Sequence, residues 1–198
     1  MCLLFETIKV ENRLLHNLDY HNRRLNRSRF DLFGSRGEIN LSDHIHIPND
    51  LGSQTYKCRV VYKNEIERIE FEEYKPHAIN RLIVMDADID YAYKYHNRQE
   101  IEELKKNLNP GEDMLIVKDG FVTDSSMANI CFWDGMHYYT PLKPLLKGTQ
   151  RQYLIDQGEL LEAEIHLQDI KGFKSFILIN AMNELSPGRL LPIDRIIF

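Results

Sequence analysis

The chain lacks the features of a disulfide-rich secreted protein and of a membrane protein. Its 198 residues include three cysteines, Cys2, Cys58 and Cys131, which is an odd number, and no Cys-x-x-Cys pair occurs. We therefore expect reduced thiols and a cytoplasmic protein. No apolar run approaches the ~20 residues that a membrane helix needs, and no basic segment followed by a long apolar stretch opens the sequence.

The sequence also has no excess of basic residues. It carries 25 Lys and Arg against 30 Asp and Glu, for a formal net charge of -5, whereas nucleic-acid binding usually needs a basic surface. His44 and His46 are spaced as ligands on one face of a strand, but no third ligand accompanies them, so we expect no metal site. The hydrophobic fraction of 43% is enough for a buried core.

The pattern of apolar residues predicts a mixed α+β fold without internal repeats. Strands and helices do not alternate strictly, which argues against a doubly wound sheet. We expect two domains, residues 1–88 and 89–198. The periodicity predicts strands at 3–10, 56–62, 65–74, 82–87, 114–117, 121–123, 129–133, 136–140 and 175–180, with helices at 19–33, 97–108 and 149–157.

Lys94 is the strongest candidate for chemistry. A lysine taken alone is most often a solvated surface charge, but Tyr91, Tyr93 and Tyr95 surround this one in the sequence. Aromatic, partly apolar surroundings favour the neutral amine, which is the form that Schiff-base chemistry requires. The tyrosines are equally compatible with an ordinary aromatic core.

Asp124 and Asn129 lie in a second polar segment, Val-Thr-Asp-Ser-Ser-Met-Ala-Asn. A carboxylate beside the ring nitrogen of pyridoxal phosphate keeps that nitrogen protonated, so that the ring can accept electrons. Asp124 is the candidate for this contact, and Asn129 would fix the loop and the direction of the carboxylate. Considered singly, both residues are also compatible with an ordinary turn.

A third group of residues suits a phosphate. Gly148 and Thr149 open a predicted helix, where backbone N–H groups and the helix dipole favour an anion, and Arg24 could bring a guanidinium to the same phosphate. The alternatives are a plain helix start and the polar face of an amphipathic helix. Together with Lys94 and Asp124, these residues provide the contacts that pyridoxal phosphate needs, so the sequence predicts an enzyme with this cofactor.

These segments occur in the order found in the class IV aminotransferase family, which the sequence resembles over most of its length. The resemblance implies the two-domain α+β fold of fold-type IV pyridoxal-phosphate enzymes (the D-amino acid aminotransferase-like fold), here shortened at the N-terminus. It further implies a cofactor cleft between the domains and a homodimer. The matching segments are Leu4-Phe5-Glu6-Thr7, His21-x-x-Arg24-Leu25, Lys94, Asp124 to Ile130, Thr140-Pro141 and Leu146 to Arg151.

Two details resemble the family members that convert 4-amino-4-deoxychorismate into 4-aminobenzoate and pyruvate for folate biosynthesis. They are Lys94-x-x-Asn97-Arg98 and the turn that contains Ala181 and Met182. The resemblance assigns this turn to cofactor binding, since many transaminases carry a phosphate-binding threonine where Ala181 stands. The alternatives are an aminotransferase for branched-chain or D-amino acids, and a family member that binds a ligand or a partner without catalysis.

Two departures from the family pattern bear on the substrate. Asp124 replaces the usual glutamate and is one methylene shorter, so that either the loop comes closer to the ring nitrogen or the contact is weaker. In addition, no pair of arginines stands out for a substrate carboxylate. Arg59, Arg81 and Arg98 are the candidates.

Overall fold

The computed structural model describes residues 2–198, which form two compact units. The first unit extends to Lys75 and also includes Tyr93–Asn97, while Pro76–Ala92 and Arg98–Phe198 form the second. The domain boundary predicted between residues 88 and 89 falls inside Pro76–Ala92. Each unit contains its own β-sheet, and the mixed α+β class expected from the sequence is confirmed.

The first unit is a four-stranded antiparallel sheet with one long helix. The elements are β1 (Leu4–Glu11), β2 (Leu14–Leu15), α1 (Leu18–Phe33), β3 (Tyr56–Tyr62) and β4 (Ile66–Glu73). The sheet has the strand order β2-β1-β3-β4. Leu4, Ile8 and Val10 of β1 form a buried core with Leu25 of the helix α1. Because alternate residues of a strand share a face, Glu6 is directed toward this core as well.

The helix α1 presents one side to β1 and ends at a glycine. Gly34 has a φ of 68°, and its N–H donates to the carbonyls of Arg29 and Phe30, a left-handed conformation that glycine adopts without steric cost. His21 and Leu25 are both buried, as expected for residues four apart on a helix. Arg24 lies three residues after His21, so both side chains can reach β1.

The segment Tyr93–Asn97 pairs with β1 in an antiparallel manner. The N–H of Phe5 donates to the carbonyl of Lys94 at 3.1 Å, and the N–H of His96 donates to the carbonyl of Leu3 at 2.8 Å. Leu4 and Tyr95 form the bridge between these two hydrogen bonds. Lys94 is therefore in register with Phe5, on a backbone that the pairing fixes.

The second unit is built on a nine-stranded sheet. Its elements are β5 (Arg81–Asp86), α2 (Gln99–Lys105), β6 (Glu112–Lys118), β7 (Phe121–Ser125), β8 (Asn129–Trp133), β9 (Tyr138–Pro141), α3 (Thr149–Asp156), β10 (Leu161–Ala163), β11 (Ser175–Ile179), β12 (Leu191–Pro192) and β13 (Ile196–Ile197). The strand order is β10-β9-β8-β7-β6-β5-β13, and β11 pairs with both β8 and β12. Most pairs are antiparallel, but β5 runs parallel to β6 and to β13, and β10 runs parallel to β9.

The core of the second unit lies where apolar side chains of the central strands meet. Leu115 of β6, Ile130 and Phe132 of β8, and Phe176 of β11 have no exposed surface. Asp124 lies within β7, and Asn180 directly follows β11. Within residues 2–198, no helix has the length and apolar character needed to cross a bilayer.

Candidate functional site

Lys94 lies in the first unit among aromatic side chains. Its Nζ is 4.7 Å from the centroid of the Phe5 ring, and the residue is half-buried. Tyr93 and Tyr95 contact each other edge to face, with ring centroids 6.0 Å apart, and both pack on the core of this unit. The third flanking tyrosine, Tyr91, belongs to the second unit.

A buried network of three polar side chains connects β1 to α1. Glu6 is completely buried and accepts hydrogen bonds from Nδ1 of His21 at 2.6 Å and from Nε of Arg24 at 2.9 Å. Nη2 of Arg24 also donates to this carboxylate. Burial by itself raises the pKa of Glu6, but Arg24 and His21 outweigh it and hold the pKa at about 2. Glu6 is therefore an anion at neutral pH and determines the position of the Arg24 guanidinium.

His21 completes this network in its neutral form. Burial is the main cause that lowers its pKa below the usual value, with further lowering by the charges of Arg24 and Lys94. A neutral imidazole whose Nδ1 carries the proton donates to Glu6. Arg24 was predicted from the sequence, whereas its contact with Glu6 and that of His21 with Glu6 were not. The sequence did contain a signal for this network. Glu6 lies between Leu4 and Ile8 on the same face of an apolar strand, where a carboxylate needs a buried partner.

Asp124 and Asn129 meet in the second unit, where β7 ends and β8 begins. Nδ2 of Asn129 donates to Oδ1 of Asp124 at 2.7 Å, and the N–H of Leu146 donates to Oδ2 at 2.9 Å. Nδ2 of Asn129 also reaches the carbonyl of Leu146 at 2.8 Å. Asp124 is only 4% exposed, and this burial raises its pKa to about 6, although the two hydrogen bonds and the charge of Arg151 act in the opposite direction.

Gly148 and Thr149 lie at the start of α3, beside this pair. Gly148 is the N-terminal cap residue with an ordinary extended conformation (φ -68°), so its backbone does not require glycine. A Cβ atom at this position would instead overlap Oδ1 of Asn129. The absence of a side chain thus allows Asn129 to approach Gly148, and Thr149 is buried directly after it.

We expect Gly148→Ala to displace Asn129 and to weaken its bonds to Asp124 and Leu146. Overpacking of this kind typically costs about 1–3 kcal/mol in the free energy of unfolding, which chemical denaturation measures. Gly172→Ala is the matched control, because an added Cβ there meets no atom within 4 Å. Equal stability of the two variants would contradict the close approach of Asn129.

The turn that contains Ala181 and Met182 follows β11 and is tied to the same region. Oδ1 of Asn180 accepts hydrogen bonds from the N–H of Met182 at 2.9 Å and of Asn183 at 3.0 Å. Nδ2 of Asn180 donates to the carbonyl of Met127 at 3.3 Å, in the loop between Asp124 and Asn129. The second unit thus brings together most of the predicted residues, while Lys94 and Arg24 lie in the first unit.

Comparison with known proteins identifies the family of the chain. The sequence model of the family described as "Amino-transferase class IV" matches residues 89–191. An uncharacterized protein of Haemophilus influenzae is 37% identical over 186 residues, which cover 92% of this chain and 98% of that protein.

Solved structures show the same fold. A protein from Haemophilus somnus 129PT, provisionally identified as a 4-amino-4-deoxychorismate lyase, superposes with a TM-score of 0.85 at 28% identity and covers 93% of this chain and 98% of its own. The pyridoxal-phosphate-bound form of a hypothetical aminotransferase from Mycobacterium tuberculosis has a TM-score of 0.73 at 16% identity, over 96% of this chain and 83% of its own. At 16% identity the second similarity establishes the fold alone.

Proposed function

The chain belongs to the class IV aminotransferase family, and from that premise we propose that it is a pyridoxal-phosphate lyase that converts 4-amino-4-deoxychorismate into 4-aminobenzoate and pyruvate. The observation that carries the proposal is the similarity to the Haemophilus somnus protein along nearly the full length of both chains. The motif Lys94-x-x-Asn97-Arg98 supports the same assignment.

The described residues fit pyridoxal phosphate chemically. Asp124 is a buried carboxylate with a pKa raised to about 6. The hydrogen bonds and the positive charge around it therefore stabilise its ionised form less than burial destabilises it. A protonated ring nitrogen would supply the missing positive charge. We assign Lys94 to the covalent attachment, Asp124 to the ring nitrogen and Asn129 to the orientation of Asp124. The phosphate is assigned to Arg24, the backbone at Gly148–Thr149 and the turn at Ala181–Met182.

When bound, the cofactor supplies an electron sink that stabilises negative charge on the substrate. Lys94 performs the proton transfers: its Nζ removes a proton from the substrate and later returns one, as a general base and then a general acid. The two products together contain all the atoms of the substrate, so the reaction needs neither water nor an oxidant. Glu6 and His21 contribute indirectly, since they hold the guanidinium of Arg24 in place.

The pH dependence of cofactor binding follows from Asp124. Above pH 6 its carboxylate is ionised and attracts a protonated ring nitrogen, whereas below its pKa of about 6 it takes up a proton and loses that attraction. We expect the affinity for pyridoxal phosphate to fall as the pH is lowered from 8 to 5, measured by absorbance titration. Asp124→Asn should bind about tenfold or more weakly at pH 8. Its affinity should lose the part of the pH dependence that comes from Asp124, and an unchanged profile in this variant would contradict the assignment.

The function is tested by incubating the cofactor-loaded protein with 4-amino-4-deoxychorismate and measuring both products. We expect 4-aminobenzoate and pyruvate in equal amounts, and the absence of both would refute the lyase proposal.

An aminotransferase is the second candidate, because a structural neighbour in complex with pyridoxal phosphate is described as one. An amino acid donor that converts the cofactor to its amine form would favour that alternative.

We also propose that the protein is a homodimer. Light scattering should then give twice the mass of the chain.

A further inference from the structure

Arg98 contacts the loop between β7 and β8, where the site residues Asp124 and Asn129 lie. It directly precedes α2 as the N-terminal cap residue, and its Nη2 donates a hydrogen bond to the carbonyl of Ser126 in that loop. The guanidinium carbon also lies 5.7 Å from the centroid of the Tyr91 ring, within the range of a cation–π contact. Arg98 is thus in contact with a ring and with a carbonyl of the second unit itself.

The loop is a closed turn of four residues, which we call the 125–128 turn. The N–H of Ser125 donates to the carbonyl of Ala128 at 2.9 Å, and Oγ of Ser125 accepts the N–H of Ala128 at 3.1 Å. Asp124 precedes this turn and Asn129 follows it. Since internal bonds fix the shape of the turn, a contact to one of its carbonyls restrains the turn as a whole.

Sheet pairing restrains this end of β7 only in part. Among the described residues, Asp124 and Asn129 form the single residue pair in the register of β7 with β8. On the other side of β7, the register with β6 shifts between Leu115 and Val117. Because a regular backbone ladder is what holds a strand against its neighbours, side-chain contacts supply the remaining restraint on the turn.

Two side chains from other segments of the second unit bond to carbonyls of the 125–128 turn. Arg98 donates to the carbonyl of Ser126, and Nδ2 of Asn180 donates to the carbonyl of Met127 at 3.3 Å. A hydrogen bond from an ionised donor is roughly twice as strong as one between neutral groups, and 3.3 Å is long for an N–H···O bond. Arg98 is therefore the stronger of these two restraints.

We propose that Arg98 is a positioning residue, which holds the 125–128 turn and thereby directs the carboxylate of Asp124 toward the ring nitrogen of the cofactor. The role of Asp124 rests on the proposed function, whereas the contact of Arg98 with the turn does not. From the sequence, Arg98 is a candidate for a substrate carboxylate. Its hydrogen bond to Ser126 assigns it to the loop of the chain instead.

Hydrogen–deuterium exchange on the full chain without cofactor tests the contact itself. Arg98→Met keeps a long side chain but removes the donor, so peptides that cover the 125–128 turn should exchange about tenfold faster, as expected for a lost charged hydrogen bond. Arg98→Lys keeps a charged donor and should restore part of the protection. Arg81→Met is the matched control, because Arg81 pairs with Glu112, and it should leave the turn unchanged.

The affinity for pyridoxal phosphate between pH 5 and pH 8 tests the consequence for Asp124. Arg98→Met should bind the cofactor about tenfold more weakly at pH 8, and its affinity should vary less with pH because Asp124 is no longer directed. Ser126→Ala is a second control. It removes a buried hydroxyl that has no hydrogen-bond partner within residues 2–198 but keeps the carbonyl, so it should match the wild type in exchange and in affinity.

Four outcomes would overturn the inference. They are wild-type exchange of the turn in Arg98→Met, faster exchange throughout the second unit in that variant, an equal loss of affinity in Ser126→Ala, and a raised KM for the substrate with unchanged cofactor affinity. The last would make Arg98 a substrate contact. If the turn loosens and cofactor affinity falls in Arg98→Met while the wild type does not convert 4-amino-4-deoxychorismate, the lyase proposal fails and the positioning role stands.

Discussion

Lys94→Ala is expected to lower the turnover of 4-amino-4-deoxychorismate by at least about 10³-fold. Proton transfer by a positioned side chain contributes roughly 10² to 10⁴ in rate, and the variant also loses the amine that attaches the cofactor covalently. Steady-state kinetics at saturating pyridoxal phosphate measure this loss. Noncovalent cofactor binding should persist, because Arg24 and Asp124 are unchanged.

Two controls separate the chemistry of Lys94 from its charge. Lys94→Arg keeps a cation near the Phe5 ring but has no amine for covalent attachment, so it should be as inactive as Lys94→Ala. Lys63→Ala removes a different lysine of the first unit, whose Nζ is 5.9 Å from the centroid of the Phe33 ring, and should leave turnover unchanged. Turnover near the wild-type value in Lys94→Ala would exclude Lys94 from catalysis.

Glu6→Gln is expected to destabilise the protein by about 3 kcal/mol, near the lower end of what removal of one partner from a buried ion pair costs. Glutamine has almost the same shape, so the loss reflects the missing charge beside Arg24 rather than a cavity. For a protein of this size the melting temperature should fall by roughly 6–12 °C. Glu70→Gln is the control, since exposed ion pairs such as that of Glu70 with Arg68 contribute at most about 1 kcal/mol.

The pH dependence of stability provides a second test of the Glu6 network. The pKa of Glu6 is about 2 in the folded protein and 4.5 as its ordinary value. Its stabilising contribution is therefore complete above pH 4.5 and is lost as the pH falls toward 2. His21 has a lowered pKa, so protonation favours the unfolded chain as the pH falls below 6.5. The free energy of unfolding should decline below pH 6.5, and below pH 4.5 less steeply in Glu6→Gln. Parallel profiles in this range would contradict the network.

Elements with a clear apolar period could be located from the sequence. The predicted strands 56–62 and 129–133 agree with β3 and β8 at both ends, because apolar and β-branched residues are concentrated in them. The parallel pairing of β5 with β6 has no local signal, since Arg81 pairs with Glu112 across a long connection. The strand β10 was missed because its three residues, Leu161–Ala163, are too few to show a period.

The residues of the candidate site also divide into those with a local signal in the sequence and those without one. Asp124 and Asn129 were identified together, because they lie five residues apart on either side of one turn. The N–H of Leu146 that bonds to Asp124 is 22 residues away and could be found only in three dimensions.

The covalent attachment of the cofactor to Lys94 is the central claim, and one measurement tests it most directly. The protein is incubated with pyridoxal phosphate, reduced with borohydride, digested and analysed by peptide mass spectrometry. The expected result is a reduced cofactor adduct on the peptide that contains Lys94, with no adduct at this position in Lys94→Ala. An adduct confined to other lysines, or none at all, would contradict the claim.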